Sequence, residues 1–86
     1  MAIETLRFAL TSTAWTQISS GQANLTVDVR SGYGVKIAFA ATAPDVALAD
    51  YKSIDGGKSL ALGSLGAVPC WAIAIERAAG IEVIRG

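Results

Sequence analysis

The residues that could carry chemistry in this 86-residue chain are few, and each has a structural explanation. Histidine is absent, which removes the Ser-His-Asp and Cys-His nucleophile systems and the commonest metal ligand. Cys70 is the single cysteine. It stands between Pro69 and Trp71 with no base nearby and reads as a small buried hydrophobe. Gly56-Gly57-Lys58-Ser59 matches the end of a phosphate-binding loop. The full motif needs a glycine where this chain has Lys52, and a helix must follow; Leu60-Ala61-Leu62-Gly63 is too short for one. Asp45, Asp50 and Asp55 recur every five residues. Calcium needs several oxygens converging at roughly 2.3–2.6 Å, and this spacing fits no calcium-loop pattern, so they read as solvated loop charges. Glu76 and Glu82 could pair as carboxylates, but nothing suggests a cleft or a raised pKa. The expectation is no catalytic residue, no cofactor, no metal and no enzyme.

The aromatic residues remain as binding candidates. Trp71 lies on a period-two row and reads as core; Trp15 is less decided. Tyr33, at a turn, is the aromatic expected to be exposed.

These side chains are positioned by strands. Leu25, Val27 and Val29 alternate with polar residues, Ser31-Gly32-Tyr33-Gly34 turns the chain, and Val35, Ile37 and Phe39 alternate back. A hairpin over Gln22–Ala41 sets Val29 opposite Val35, Val27 opposite Ile37 and Leu25 opposite Phe39. Asp28 then faces Lys36 as an opposite-charge pair. Residues 3–10 read as a first strand with Leu6, Phe8 and Leu10 inward, and Ala14–Ser19 as a short second one. Thr42–Lys52 is the one long connection, in which Pro44–Leu48 could form a helical turn. Asp55-Gly56-Gly57-Lys58 signals a two-residue hairpin between Tyr51–Ile54 and Ser59–Leu62. A last hairpin joins Ala67–Glu76 to Ile81–Arg85 through a loop with Gly80 left-handed. Its inner row is Trp71, Ile73 and Ile75; its outer row is Cys70, Ala72, Ala74 and Ile84. The pattern predicts one all-β domain over residues 1–86, a small antiparallel sandwich or barrel of about six to eight short strands.

Composition then bears on partners. The chain is 52% hydrophobic but only 16% charged, against about 25% charged in an ordinary domain. So short a chain should need more polar cover, not less, which points to an oligomer that hides apolar surface. The flat rows Ala38–Ala40 and Ala72–Ala74–Ile84 are the expected subunit contacts, with Tyr33, Asp45 and Tyr51 touching neighbours. Seven basic and seven acidic residues balance, with no basic face for nucleic acid or an anionic membrane. No basic-then-apolar leader or bilayer-length apolar run is visible; synthesis in the cytoplasm without processing is expected.

Taken in order, Trp15–Gly21, a Val-rich strand, Ser31–Ala38, a segment ending Ala43-Pro44, a glycine turn and Ile81–Arg85 resemble the small all-β accessory virion proteins of tailed bacteriophages. The resemblance spans most of residues 14–85. It implies a non-catalytic virion protein, a trimer or other homo-oligomer that cements capsomers by binding the major capsid or other virion proteins. The alternative is a tail- or fibre-associated module that recognises host-surface glycan through Trp15, Tyr33 or Tyr51. A small regulatory or toxin-like β protein is a third option.

Overall fold

The computed structural model describes residues 3–45, 51–63 and 65–86, which form eight strands in two antiparallel sheets. The strands are β1 (Glu4–Leu10), β2 (Thr16–Ser19), β3 (Leu25–Ser31), β4 (Gly34–Phe39), β5 (Lys52–Asp55), β6 (Ser59–Leu62), β7 (Cys70–Ala74) and β8 (Ala79–Arg85). One sheet runs β1-β8-β3-β6 and the other β2-β7-β4-β5. Each odd–even pair is thus split between layers, the double Greek-key order of a jelly roll.

The alternation that builds the strands is obeyed closely. Leu25, Val27 and Val29 of β3 are buried, as are Val35 and Ile37 of β4 and Ile81 and Val83 of β8. The expected hairpin over Gln22–Ala41 does not form, however. β3 pairs with β8 and β6, while β4 pairs with β7 and β5. The rows of β3 and β4 meet across the sandwich instead of lying side by side. Period-two patterning fixes which residues face the core but not whether the facing row is a neighbour or an opposite layer. The turn makes the corner possible, because Gly32 has φ +93° and a Cβ there would stand 2.7 Å from the Ala79 Cβ.

The same correction applies twice more. The Asp55–Lys58 turn is made as expected, with Lys58 N–H donating to the Asp55 carbonyl at 3.0 Å. Its strands nevertheless diverge, β5 joining β4 and β6 joining β3. The last expected hairpin, Ala67–Glu76 with Ile81–Arg85, also splits between sheets. Gly80 lies within β8, and the left-handed residue of that corner is Glu76, φ +65°. Asp28 does not meet Lys36: it pairs with Arg30 at 3.2 Å, and the Lys36 ammonium sits over the Tyr51 ring. Of the helical turn expected over Pro44–Leu48, Pro44 and Asp45 are in irregular backbone and the rest lies outside the described residues.

β7 also reverses the expected parity. Cys70, Ala72 and Ala74 point into the core, whereas Trp71 and Ile73 point out of the sandwich. Large side chains from β3, β4 and β8 already fill the space between the layers, so the facing strand must be small there. The displaced bulk forms a second cluster outside the sheet, where Trp71 packs on buried Trp15, Ala38 and Ile73. The backbone following β4 is pinned to this cluster by both indoles, Trp15 Nε1 donating to the Asp45 carbonyl at 3.0 Å and Trp71 Nε1 to the Ala40 carbonyl at 2.9 Å. Trp15→Phe and Trp71→Phe keep most of each ring but lose the donor. Each is expected to cost about 1 kcal/mol in urea denaturation, and a Phe variant as stable as the parent would show that its indole bond contributes nothing.

At the far end of β8, Arg85 ties the layers together. Its Nη1 donates to the Ile18 carbonyl at 2.8 Å in the other sheet, and its Nε lies 3.6 Å from Glu4 Oε1.

Candidate functional site

Three places could act: the space between the sheets, the outer face of each sheet, and the corners at the barrel ends. The interior is filled. Leu10, Ile18, Leu25, Ile37 and Ile81 meet there with at most 2% exposure. Among the described residues Ser19 is the one buried polar residue, and its hydroxyl is held 2.6 Å from Gln22 Oε1. Cys70 is the interior sulfur, fully buried, and burial pushes its thiol pKa up to about 12. A thiol so placed is neither nucleophile nor ligand at neutral pH. Cys70 is expected to resist an aromatic disulfide reagent at pH 8 and to react once the chain is unfolded in guanidinium. Rapid stoichiometric reaction of the native chain would contradict its placement.

The raised pKa also fixes a sign for stability. Below pH 9 the thiol is protonated whether the chain is folded or not, so it contributes no pH dependence. Between pH 9 and about 12 the unfolded chain loses this proton while the folded chain keeps it, so stability falls as pH rises.

The outer face of the β2-β7-β4-β5 sheet is the one covered by the indole cluster. It gathers three of the expected contact residues. Ala38 is buried beneath Trp15 and Trp71, half-buried Ala40 accepts the Trp71 bond, and Asp45 accepts that of Trp15. Ala72 and Ala74, expected beside them, are instead in the core and present no surface. At the corner after β3, Tyr33 is 57% exposed with the Arg77 guanidinium 4.8 Å from its ring centre. Tyr51 is also exposed, under Lys36. These cations hold both rings in place while leaving them open to solvent.

Ile84 belongs to the opposite face, outside the β1-β8-β3-β6 sheet, and is 43% exposed. Register places Thr5, Ile84, Thr26 and Ala61 in one row across the four strands. Arg7, Glu82, Asp28 and Ser59 form the next. Arg7 Nη2 lies 3.4 Å from Glu82 Oε2, and Arg30 Nη1 lies 3.2 Å from Asp28 Oδ2. A shallow depression of about 200 Å³ is lined by Thr26, Asp28, Ser59, Glu82 and Ile84. Sequence reasoning missed this charged row because its members come from strands 75 residues apart. Its signal was present in the polar positions alternating with the core rows of β1, β3 and β8.

Comparison with known proteins bears on the scaffold. No protein-family model matches the chain, and no curated protein matches it in sequence. Solved structures do resemble it. A cupin-2 domain containing protein from Shewanella frigidimarina superposes with TM-score 0.61 and 13% identity, over 96% of this chain and 69% of that one. The fold is cupin-like. Hydroxypropylphosphonic acid epoxidase from S. wedmorenis, in complex with fosfomycin, gives TM-score 0.68 and 13% identity over 98% of this chain and 43% of the epoxidase. A conserved protein of unknown function from Pseudomonas aeruginosa PAO1 gives TM-score 0.71 and 10% identity over 98% of this chain and 39% of that one. The chain therefore spans less than half the length of the last two. At such identities the likeness is one of fold, and the fold includes an enzyme.

The epoxidase has been solved with iron(II), so the fit of this cupin-like interior to a metal can be tested. Non-haem iron(II) and related centres favour imidazole and carboxylate ligands. This chain has no histidine, and among the described residues no three Cys, Asp or Glu side chains converge. The interior offers aliphatic side chains and a protonated thiol. The residues present do not fit such a centre.

Proposed function

We propose that the chain is a non-catalytic assembly module that acts through its outer surfaces, and that it decorates or cements the capsid of a tailed-phage particle. The observation that carries this reading is the interior: the space between the sheets is packed with aliphatic side chains, while among the described residues the carboxylates, the open aromatic rings and the arginines other than Arg85 lie outside. A jelly roll is equally at home in viral capsid proteins, lectin domains and cupins, so the fold alone decides nothing about catalysis. The residues argue against it. Low charge and, among the described residues, six large apolar side chains exposed by 42% or more, Ile84, Tyr33 and Tyr51 among them, favour a surface that is covered in use. On this reading Tyr33 and Tyr51 meet capsid proteins, and the chain is a virion component. The glycan-binding alternative loses Trp15, which is buried, and keeps two tyrosines that each carry a cation against the ring.

The reading is tested by mixing the purified chain with phage capsids stripped of accessory proteins and sedimenting them. Saturable co-sedimentation is expected. A chain that stays in the supernatant at every ratio, with the capsids intact, would overturn the decoration reading.

A further inference from the structure

We infer that Tyr33 and Arg77, where the β3-β4 and β7-β8 corners meet, bind a carboxylate carried by an acidic segment of a partner protein, an inference that rests on the assembly reading and names the partner's chemistry. The four arginines of the chain are not alike. Arg7, Arg30 and Arg85 lie on Glu82, Asp28 and Glu4 respectively. Arg77 is exposed and lies over the Tyr33 ring instead. Among the described residues no carboxylate makes an ion pair with it, its chain neighbour Glu76 included. Stacking on a ring uses the flat face of a guanidinium and leaves the N–H fork at its edge. That fork matches the two oxygens of a carboxylate.

The backbone holds this pair in place at the cost of local strain. The Arg77 N–H donates to the Ile75 carbonyl at 2.7 Å across Glu76, whose φ is +65°. This is a γ-turn of the rare, strained hand, built on a residue other than glycine. Such outliers cluster at functional sites, and this one sets the direction in which Arg77 leaves the chain. Tyr33 is fixed from the other side. The Gly56 N–H donates to the Tyr33 carbonyl at 2.8 Å, and a Cβ at Gly56 would stand 2.5 Å from the Gly32 carbonyl oxygen. The Ile75 N–H donates to the Gly34 carbonyl at 3.0 Å, which ties the corner bearing Arg77 to the corner bearing Tyr33. Three corners thus close on one another, backbone against backbone. Side chains mounted this way lose less freedom when a partner binds.

The open fork decides the occupant. A basic or neutral partner gains nothing from a guanidinium that has no carboxylate, whereas an acidic one completes it. The exposed Tyr33 ring beside it offers apolar surface to the rest of the same segment. The other open ring is different. Lys36 over Tyr51 also has no carboxylate partner among the described residues, but an ammonium is a strongly hydrated point charge without a planar fork. The site is therefore assigned to Tyr33 and Arg77.

The test uses a capped tetraglutamate peptide as probe, with capped tetraglutamine as the neutral control. In NMR spectra of the isotope-labelled chain, tetraglutamate should shift the Arg77 Nε–H and Tyr33 ring signals saturably, and tetraglutamine should leave them in place. Arg77→Gln should weaken binding by about tenfold. Arg77→Lys, which keeps the charge and loses the fork, should restore little of it. Equal shifts at Arg7 and Arg30, no shift at Arg77, or an Arg77→Gln chain that binds like the parent would each overturn the proposal. So would inorganic phosphate that shifts Arg77 at a lower concentration than tetraglutamate. Amide dispersion checks that the variants fold, and if either does not, Tyr33→Ala must weaken binding instead. The second arm uses stripped capsids whose carboxylates are amidated with carbodiimide and ethanolamine and which remain intact. The parent chain should no longer sediment with them. A chain that sediments with amidated and untreated capsids alike overturns this inference and leaves decoration standing. A chain that binds tetraglutamate through Arg77 yet never sediments with untreated capsids does the reverse.

Discussion

Replacing Ile81 with alanine is expected to destabilise the chain by about 2–5 kcal/mol, the range for truncating a fully buried aliphatic side chain. Ile81 has no exposed surface. It lies on β8 between β1 and β3, opposite Phe8 on one side and Val29 on the other, so neither neighbour can collapse into the gap without leaving its own ladder. Domains of this size are stable by only about 5–15 kcal/mol or less. Each kcal/mol lost lowers the melting temperature by roughly 4–8 °C. Scanning calorimetry should therefore show a drop of at least about 8 °C, on the same estimate. Ile84→Ala, three residues along on the outer face, is the control and should leave the monomer's melting nearly unchanged. Equal effects at the two positions would contradict the assigned parity of β8.

The second large effect concerns the strand whose parity surprised. Ala72→Leu is expected to cost about 1–3 kcal/mol by overpacking, because Ala72 has no exposed surface and faces the filled interior. Ala61→Leu, on exposed β6, should cost little. Had Ala72 lain on an outer contact row, the larger side chain would have left the folded monomer unharmed and changed only its association. Urea denaturation at a concentration where the chain is monomeric separates these cases. A destabilised Ala72→Leu variant supports the inward placement, and an unaffected one refutes it.

These two residues show where the sequence was legible and where it was not. The inward rows of β1, β3 and β8, and of β4 as far as Ile37, follow from alternation of large apolar residues, whereas Phe39, expected inward at the end of β4, is exposed; the turns at Gly32 and Gly56-Gly57 follow from glycine placement. What alternation cannot carry is the layer to which each strand goes. A row facing its partner across a core and a row beside its partner in one sheet share the same pattern, so three corners read as three hairpins. β7 failed differently. Trp71 and Ile73 read as the inner, period-two row of a hairpin. Their bulk is buried, but outside the sandwich, against Trp15 and Ala38. Of the expected contact residues, Tyr33, Asp45, Tyr51 and Ile84 are exposed. The charged row of Arg7, Asp28 and Glu82 could not be assembled without knowing that β1, β8 and β3 are neighbours.

The central claim is that this jelly roll works by its outside. Hydroxyl-radical footprinting of the chain, free and bound to stripped phage capsids, tests that claim most directly. The account predicts that oxidation of Tyr33 and Tyr51 falls on binding while that of buried Leu25 and Ile81 stays low and unchanged. Bound chain with every exposed side chain oxidised as in the free state would contradict it.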